Sequence, residues 1–254
     1  MLTINDGNSG PADLSIIVPA YNEAGYLQKT LSALTMAAGR TPLRGEILVV
    51  DNRSTDATAQ IAENGGARVV YEPVRQISRA RNAGARAAEG RYLVFVDADT
   101  IVPAALFSEA VGRLEDGSAG GGGSVVAADV RLPPLGRLAL AGWNRFSMVF
   151  RLAAGSFIFC RREGFHAVGG FSEAVYASEE IGFSLRYRRW ARSRGMDFTI
   201  LSSAPVVTSA RKLDWFSTPR IALSTLLLLA YPPAVRSRRL CWLWYHRPDP
   251  RRRR

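Results

Sequence analysis

The first hundred residues alternate between short apolar segments and amphipathic segments, and this alternation constrains the fold more than any other feature. Residues 14–19, 46–51, 67–71 and 91–96 are predicted strands, and the first three are each followed by a segment of helical composition. Uninterrupted apolar runs are typical of strands that are buried on both faces of a parallel sheet. Strand–helix–strand units of this kind are joined by right-handed crossovers. The sequence therefore predicts an α/β fold with a mostly parallel sheet and flanking helices.

Carboxylates stand where these strands end. Asp97 and Asp99 directly follow the apolar run 93–96, Asp51 ends the second strand, and Glu23 comes shortly after the first. The carboxyl ends of parallel strands share one edge of the sheet, where open α/β sheets bind ligands. Two acidic side chains one residue apart offer oxygen ligands to a hard divalent cation, which in turn binds phosphates. A purely structural alternative is that Asp97 ends the strand and Asp99 caps the next helix.

A basic segment lies between the third and fourth strands. It contains Arg75, Arg79, Arg81 and Asn82. Arginine at such a place hydrogen-bonds or stacks on a base, or pairs with a diphosphate. The alternative is a solvated helix face.

The second half is less regular. Its predicted elements are helices at 103–116, 138–152 and 179–193 and strands at 124–130 and 156–160. The glycine run 120–123 lacks the Lys-Ser/Thr ending of a phosphate-binding P-loop. We therefore interpret this run as a flexible loop before the strand.

Composition excludes several classes of protein. The net charge is +11, but residues 219–254 carry +8 of it, so the body is not a basic surface for nucleic acid. Cys160 and Cys241 lie far apart without metal-ligand spacing, which favours a reducing compartment. Residues 1–13 lack the pattern of a signal peptide. We expect a polar lead-in and a cytoplasmic location.

Several motifs together resemble family 2 glycosyltransferases of the GT-A fold. The matching segments are residues 15–23 (SIIVPAYNE), 49–56 (VVDNRSTD), 80–84 (ARNAG), 95–99 (FVDAD), 169–171 (GGF) and 179–186 (EEIGFSLR). Their order and spacing are more specific than any one of them. The resemblance covers roughly residues 13–195 and implies a Rossmann-like GT-A sheet that binds a nucleotide-diphosphate sugar.

The resemblance also implies residue roles. The residues that it assigns to the nucleotide are Pro19, Ala20, Tyr21, Glu23, Asp51, Arg81 and Asp97. Among them, Asp51 would bond to the base and residues 19–21 would form the wall of its pocket. Asp99 would bind Mg²⁺ or Mn²⁺, with Asp97 on the ribose or the same metal.

Two adjacent acids are candidates for the catalytic base. Glu179 and Glu180 stand where the family commonly has a Glu-Asp pair, whose second member is the base. Glu180 is therefore the first candidate, although glutamate is one methylene longer, and Glu179 is the second. A carboxylate of either length accepts a proton from an alcohol. The alternative is that both acids only begin a helix, whose dipole favours them.

The implied function is inverting transfer of a sugar from a nucleotide-diphosphate sugar to a hydroxyl. A UDP-sugar is the first donor to consider, and the acceptor would be a saccharide or a lipid-linked molecule, as in cell envelope polysaccharide synthesis. One alternative is transfer to a polyprenyl phosphate, which is already anionic and needs little base catalysis. Another is a non-catalytic protein that binds sugar nucleotides.

The C-terminal part is predicted to be a separate tail. We divide the chain into a GT-A domain, 1–218, and a basic, aromatic tail, 219–254. The apolar run 221–230 is too short to span a bilayer, which needs about 20 apolar residues. Clustered arginines and tryptophans, ending in 251–254, suit an anionic membrane surface at the inner face of the cytoplasmic membrane. The alternative is a core or dimer helix with solvated arginines.

Overall fold

The structure, a computed structural model, describes residues 12–246. Its strands are β1 (Leu14–Ala20), β2 (Gly45–Asp51), β3 (Arg68–Tyr71), β4 (Tyr92–Val96), β5 (Thr100–Ile101), β6 (Ala119–Ala128), β7 (Phe157–Arg161) and β8 (Asp197–Thr208). The helices are α1 (Leu27–Ala38), α2 (Thr58–Asn64), α3 (Ile77–Ala87), α4 (Ala104–Glu115), α5 (Pro134–Phe150), α6 (Arg162–Ala167), α7 (Glu179–Arg192), α8 (Lys212–Trp215), α9 (Thr218–Ala230) and α10 (Trp242–Tyr245), with a 3₁₀ helix at Pro232–Arg236. The predicted lead-in up to residue 11 and the arginines at 251–254 lie outside the described residues.

The strands form one mixed sheet in the order β3-β2-β1-β4-β7-β6-β8-β5. The four strands from β3 to β4 run parallel, which confirms the prediction made from the alternating segments. Beyond them, β7 is antiparallel to both β4 and β6, while β6 and β8 run parallel. The short β5 pairs antiparallel with the end of β8. This last pairing joins residues that are about a hundred positions apart.

Both faces of the sheet are buried, which explains the continuous apolar runs. In β1, Ile16 and Val18 point into a core built with α1 and α4, while Ile17 points into a second core built with α3 and α7. Residues of β4 alternate in the same way, with Val94 and Phe95 on opposite faces. A strand whose side chains are apolar on both faces needs helices on both faces.

The prediction for the glycine run was wrong. Residues 120–123 are not a loop; they lie inside β6, where Gly122 pairs with Phe159 of β7 and Thr199 of β8. A Cβ atom on Gly122 would lie 2.0 Å from the carbonyl oxygen of Thr199. The glycines are therefore required by the close approach of neighbouring strands, not by flexibility.

Two further local features are not evident from the sequence. Strand β8 was not predicted, although its run 198–201 resembles the other strands. Ser54 and Thr55 do not cap the helix that follows them, because α2 begins only at Thr58. Their side chains bond instead to Asn22, with Ser54 Oγ accepting from the Asn22 backbone N–H at 3.0 Å. These bonds tie the loop after β2 to the loop after β1.

The packing of β6 predicts an asymmetry between two glycine-to-alanine substitutions. We expect Gly122→Ala to lower the free energy of unfolding by about 2 kcal/mol or more, because the added methyl group forces β6 and β8 apart. Gly112→Ala is the matched control: it lies in α4 with open space around it, so a gain of about 0.5–1 kcal/mol is expected. Urea unfolding of both variants measures the difference. Equal stability of Gly122→Ala and the unsubstituted protein would contradict this packing.

Candidate active site

A cavity opens where β1 and β4 end. The two strands are parallel neighbours, with Ile17 opposite Phe95, so the loops that follow them meet at one edge of the sheet. The cavity has a volume of about 330 Å³. The predicted site residues that line it are Pro19, Ala20, Tyr21, Glu23, Arg81, Asp97, Asp99, Glu179 and Glu180. The cavity thus brings together predicted site residues from four separate stretches of the chain.

Asp51 is the predicted site residue that does not line the cavity. Its Oδ1 accepts a hydrogen bond from the backbone N–H of Ser54 at 2.9 Å, which stabilises the turn after β2. The next residue, Asn52, does line the cavity. The Asn52 amide donates to the carbonyl of Val74 at 2.7 Å and accepts from the Gln76 N–H at 2.9 Å. Asn52 therefore fixes the loop that carries Arg75.

Arg81 links two of the acids. Its guanidinium lies 2.7 Å from Glu179 Oε1 and 2.9 Å from Asp97 Oδ1, and it also donates to the Gly155 carbonyl. The Arg81 side chain is 3% exposed, whereas that of Asp97 is 37% exposed and reaches into the cavity. Burial alone would lower the pKa of Arg81, but Asp97 and Glu179 raise it above the ordinary value. Arg81 is therefore a fixed buried cation that holds Asp97 in place.

Arg211 has the corresponding position beside Asp99. Its Nη2 lies 3.0 Å from Asp99 Oδ2 and 2.6 Å from Glu23 Oε1, while its Nη1 contacts the second Glu23 oxygen. All three side chains are largely buried. Burial raises the pKa of Asp99 to about 6, although the Arg211 charge opposes this rise. The pairing of β5 with β8 brings Arg211 here, since Asp99 precedes β5 and Arg211 follows β8.

The two acids at the start of α7 have different environments. Glu179 is buried and committed to Arg81, while no ion pair to Glu180 occurs within residues 12–246. Burial, together with the neighbouring Glu179 carboxylate, raises the pKa of Glu180 to about 8. Ser178, which precedes them, has a φ of 60°, a left-handed conformation that costs a non-glycine residue about 1 kcal/mol or more. This strained turn presents both acids to the cavity.

Arg75 covers Tyr21, which belongs to the wall at residues 19–21 that is expected to contact the nucleotide base. The guanidinium carbon of Arg75 lies 3.7 Å from the centroid of the Tyr21 ring. Arg75 also donates to the backbone carbonyl of Tyr245 at 2.6 Å. At this spacing there is no room for a base between Arg75 and Tyr21. A base that stacks on Tyr21 therefore requires Arg75 to move.

The C-terminal part of the described chain forms a wall of the cavity that sequence reasoning missed. The lining residues from it are Arg211, Lys212, Trp215, Leu243, Trp244 and Tyr245. Cys241 and Tyr245 pack with Ala177, directly before α7. Thus residues 241–245, assigned above to a separate tail, pack against the body. A signal for Arg211 was present, because an apolar run followed by the polar cluster 208–212 repeats the pattern of the other strand ends.

The acidic residues fit a divalent cation that is shared with a ligand. Among the described residues, no group of three or more His, Cys, Asp or Glu side chains is arranged to hold a metal. However, Mg²⁺ typically takes one or two carboxylates and completes its shell with water and substrate phosphates. Asp97 and Asp99 provide such carboxylates, and the partly exposed Asp97 is open to the cavity.

Comparison with known sequences identifies relatives of the chain. The sequence profile of Glycosyl transferase family 2 matches residues 15–163. Uncharacterized glycosyltransferase EpsJ of Bacillus subtilis (strain 168) is 34% identical over 99 residues, which are 37% of this chain and 28% of that protein. The aligned part spans 28 to 45% of the length of the first curated relatives that the chain matches.

Comparison with solved structures identifies proteins of the same fold. Mannosyltransferase PcManGT from Pyrobaculum calidifontis, solved with GDP-Man and Mn²⁺, has a TM-score of 0.63 at 20% identity, covering 90% of this chain and 66% of that one. Glucosyl-3-phosphoglycerate synthase from Mycobacterium tuberculosis, solved with Mn²⁺, UDP and glucosyl-3-phosphoglycerate, has a TM-score of 0.57 at 24% identity, covering 85% and 79%. At these identities the likeness shows the fold.

Proposed function

Since the chain belongs to glycosyl transferase family 2 and has the GT-A fold, we propose that it is an inverting, metal-dependent glycosyltransferase. The donor is a nucleotide-diphosphate sugar, with UDP-sugars the first to test, and the acceptor is a hydroxyl of a saccharide or a lipid-linked molecule. One observation carries the proposal. Asp97, Asp99 and Glu180 line the same cavity as the aromatic wall at Tyr21.

The nucleotide would bind along the end of β1. Pro19, Ala20 and Tyr21 form an apolar and aromatic wall that suits a base once Arg75 has moved aside. Asp51 would support this wall from outside the cavity through the turn at Ser54. Both solved neighbours described above hold a nucleotide or a nucleotide sugar, which supports this ligand class.

The diphosphate would lie near Asp99. Asp97 and Asp99 would hold Mg²⁺ or Mn²⁺, which neutralises the charge that develops on the departing nucleoside diphosphate. Arg211 and Lys212 add fixed positive charge at the same wall. Arg81 would act as a positioning residue, since it holds Asp97 through one of its nitrogens.

Glu180 would act as the catalytic base. It takes the proton from the acceptor hydroxyl while the oxygen forms a bond to the anomeric carbon. The bond between that carbon and the diphosphate oxygen breaks at the same time, and its electron pair leaves with the diphosphate. A single displacement of this kind inverts the anomeric centre. Glu179 is unsuited to this role because its carboxylate is buried against Arg81 at 2.7 Å.

We further propose that the protein works at the inner face of the cytoplasmic membrane, where lipid-linked acceptors of the cell envelope are exposed. The apolar α9 and the arginines after it support contact with an anionic surface. No helix within residues 12–246 is long and apolar enough to cross a bilayer.

Removal of the base tests the mechanism. We expect Glu180→Gln to lower the rate of UDP-glucose, UDP-GlcNAc or GDP-mannose hydrolysis with Mn²⁺ by about 10²-fold or more, because the amide cannot accept the proton. Affinity for UDP or GDP, measured by calorimetry, should stay within about threefold of the unsubstituted protein. Glu115→Gln, at the exposed end of α4, is the control and should leave both quantities unchanged.

Other outcomes of this experiment identify the alternatives. Full hydrolytic activity of Glu180→Gln would show that Glu180 is not the base. Undiminished transfer by that variant to a polyprenyl phosphate would favour the anionic acceptor. If the unsubstituted protein binds nucleotides but turns over no donor, the result would favour a non-catalytic protein that binds sugar nucleotides.

The raised pKa of Glu180 predicts the pH dependence. Only the carboxylate form accepts a proton, and this form predominates above a pH of about 8. The hydrolysis rate should therefore rise about tenfold per pH unit from pH 6.5 and level off above about 8. Glu179→Gln removes a like charge and should move the inflection to lower pH. A flat profile between about pH 6.5 and 9 would contradict a base in this environment.

A further inference from the structure

One face of α5 is apolar and uncovered. Ser147 is the buried residue of this helix. Leu135, Leu138, Phe146, Val149 and Phe150 expose 44–70% of their surfaces. They recur at spacings of three, four and eight residues, so they form one stripe along the helix. Such a continuous apolar surface marks an interaction site in a folded protein.

The stripe is not needed to attach α5 to the body. The opposite side of the helix packs Leu140 and Trp143 against the core. The Asn144 amide accepts from the Val126 N–H at 3.0 Å and donates to its carbonyl at 2.9 Å. Ser147 Oγ donates to the Leu152 carbonyl at 2.6 Å. The exposed side chains are therefore available to a partner.

The charged side chains of α5 and its flanks are all arginines, one of which, Arg151, pairs with Asp197 at 2.9 Å. Residues 131–151 contain four arginines and no Asp, Glu or Lys. The neighbouring helix α7 adds Arg188, which donates to the Phe150 carbonyl at the end of α5. Within the part of the chain that the structure describes, the ion pairs include none to Arg131, Arg137, Arg145 or Arg188. A partner with negative charge therefore complements this surface.

We infer that α5 docks on an anionic lipid surface and lies in its plane. An apolar stripe with phenylalanines, bordered by unpaired arginines, matches the boundary between acyl chains and anionic headgroups. A second copy of the chain fits less well, because stripe-to-stripe pairing would bring arginines together without a carboxylate on either helix. The inference makes α5 the principal membrane contact, beside the contribution of α9 proposed above, and does not depend on the transfer chemistry.

The position of α5 gives this docking a consequence for the site. The chain leaves the helix at Arg151, passes through the buried residues 152–154, and reaches Gly155 and Ser156, which line the cavity. Gly155 also accepts a hydrogen bond from Arg81 at 2.8 Å. A docked α5 thus holds one wall of the cavity close to the lipid surface, where a lipid-linked acceptor would be.

Vesicle co-sedimentation of the full chain tests the inference. We expect the protein to bind phosphatidylcholine vesicles containing about 30% phosphatidylglycerol at least about tenfold more tightly than pure phosphatidylcholine. Raising the salt from about 0.1 M to about 0.5 M should weaken this binding. The double variant Leu138→Asp/Phe146→Asp should bind the anionic vesicles at least about tenfold more weakly.

Matched controls separate α5 from the C-terminal part and from misfolding. Leu223→Asp/Leu226→Asp alters two residues of α9 that are 61–68% exposed. Because α5 is the principal contact, this variant should weaken vesicle binding by less than about threefold. Arg145→Glu is a second variant that leaves the apolar stripe intact, so it tests the inference independently of whether the double variant folds. It should weaken binding to the anionic vesicles. Donor hydrolysis in vesicle-free solution should be unchanged in Arg145→Glu, so a failure of docking and a failure of the proposed chemistry give different results.

Three results would overturn the inference. The first is equal binding of the unsubstituted protein to anionic and neutral vesicles. The second is loss of binding in the α9 variant but not in the α5 variants. The third is a dimer in light scattering that the α5 substitutions dissociate, without any effect on vesicle binding.

Discussion

Two buried arginines neutralise the acids that gather at the carboxyl edge of the sheet. Glu23, Asp97, Asp99 and Glu179 would repel one another in a partly buried cavity if no cation separated them. Arg81 pairs with Asp97 and Glu179, and Arg211 pairs with Asp99 and Glu23. Each arginine therefore fixes one acid of the 97–99 pair and one acid from elsewhere. Glu180 has no ion pair among the described residues, and burial beside the Glu179 carboxylate raises its pKa to about 8, although the Arg81 charge opposes this rise.

Close packing between elements of the fold positions these two arginines. Arg81 is carried by α3, which approaches β1 closely because Gly84 leaves no Cβ to collide with Ile17. Arg211 lies beside Asp99 because β8 extends to Thr208, where it pairs with β5. The glycines of β6 allow that path, since they let β6 pack tightly between β7 and β8. The glycines of β6 therefore matter both for the packing of the sheet and for the position of Arg211 in the site.

Local signals predicted the first half of the chain well. Strands β1 to β4 and the acids at their ends follow from apolar runs and the polar residues that stop them, which depend on neighbouring residues alone. The prediction of a loop at residues 120–123 was wrong because glycine favours loops locally. Here glycine is needed because the backbones of β7 and β8 approach too closely for a Cβ atom. The wall at 241–245 was missed because its contacts, such as Arg75 to Tyr245, join residues 170 positions apart. In the sequence alone, the tryptophans and arginines of this part also fit a membrane surface, so the sequence does not distinguish that role from a wall of the cavity.

The balance of acids and arginines has a direct thermodynamic consequence. If Asp97 and Asp99 take up a divalent cation together with a diphosphate, nucleotide affinity must depend on the metal. Calorimetric titration of UDP, GDP and dTDP with Mn²⁺ and with a chelator measures this dependence. At least one nucleotide should bind about tenfold or more tightly with Mn²⁺, and Asp99→Asn should abolish the difference. Equal affinity of all three nucleotides with metal and with chelator would contradict the account.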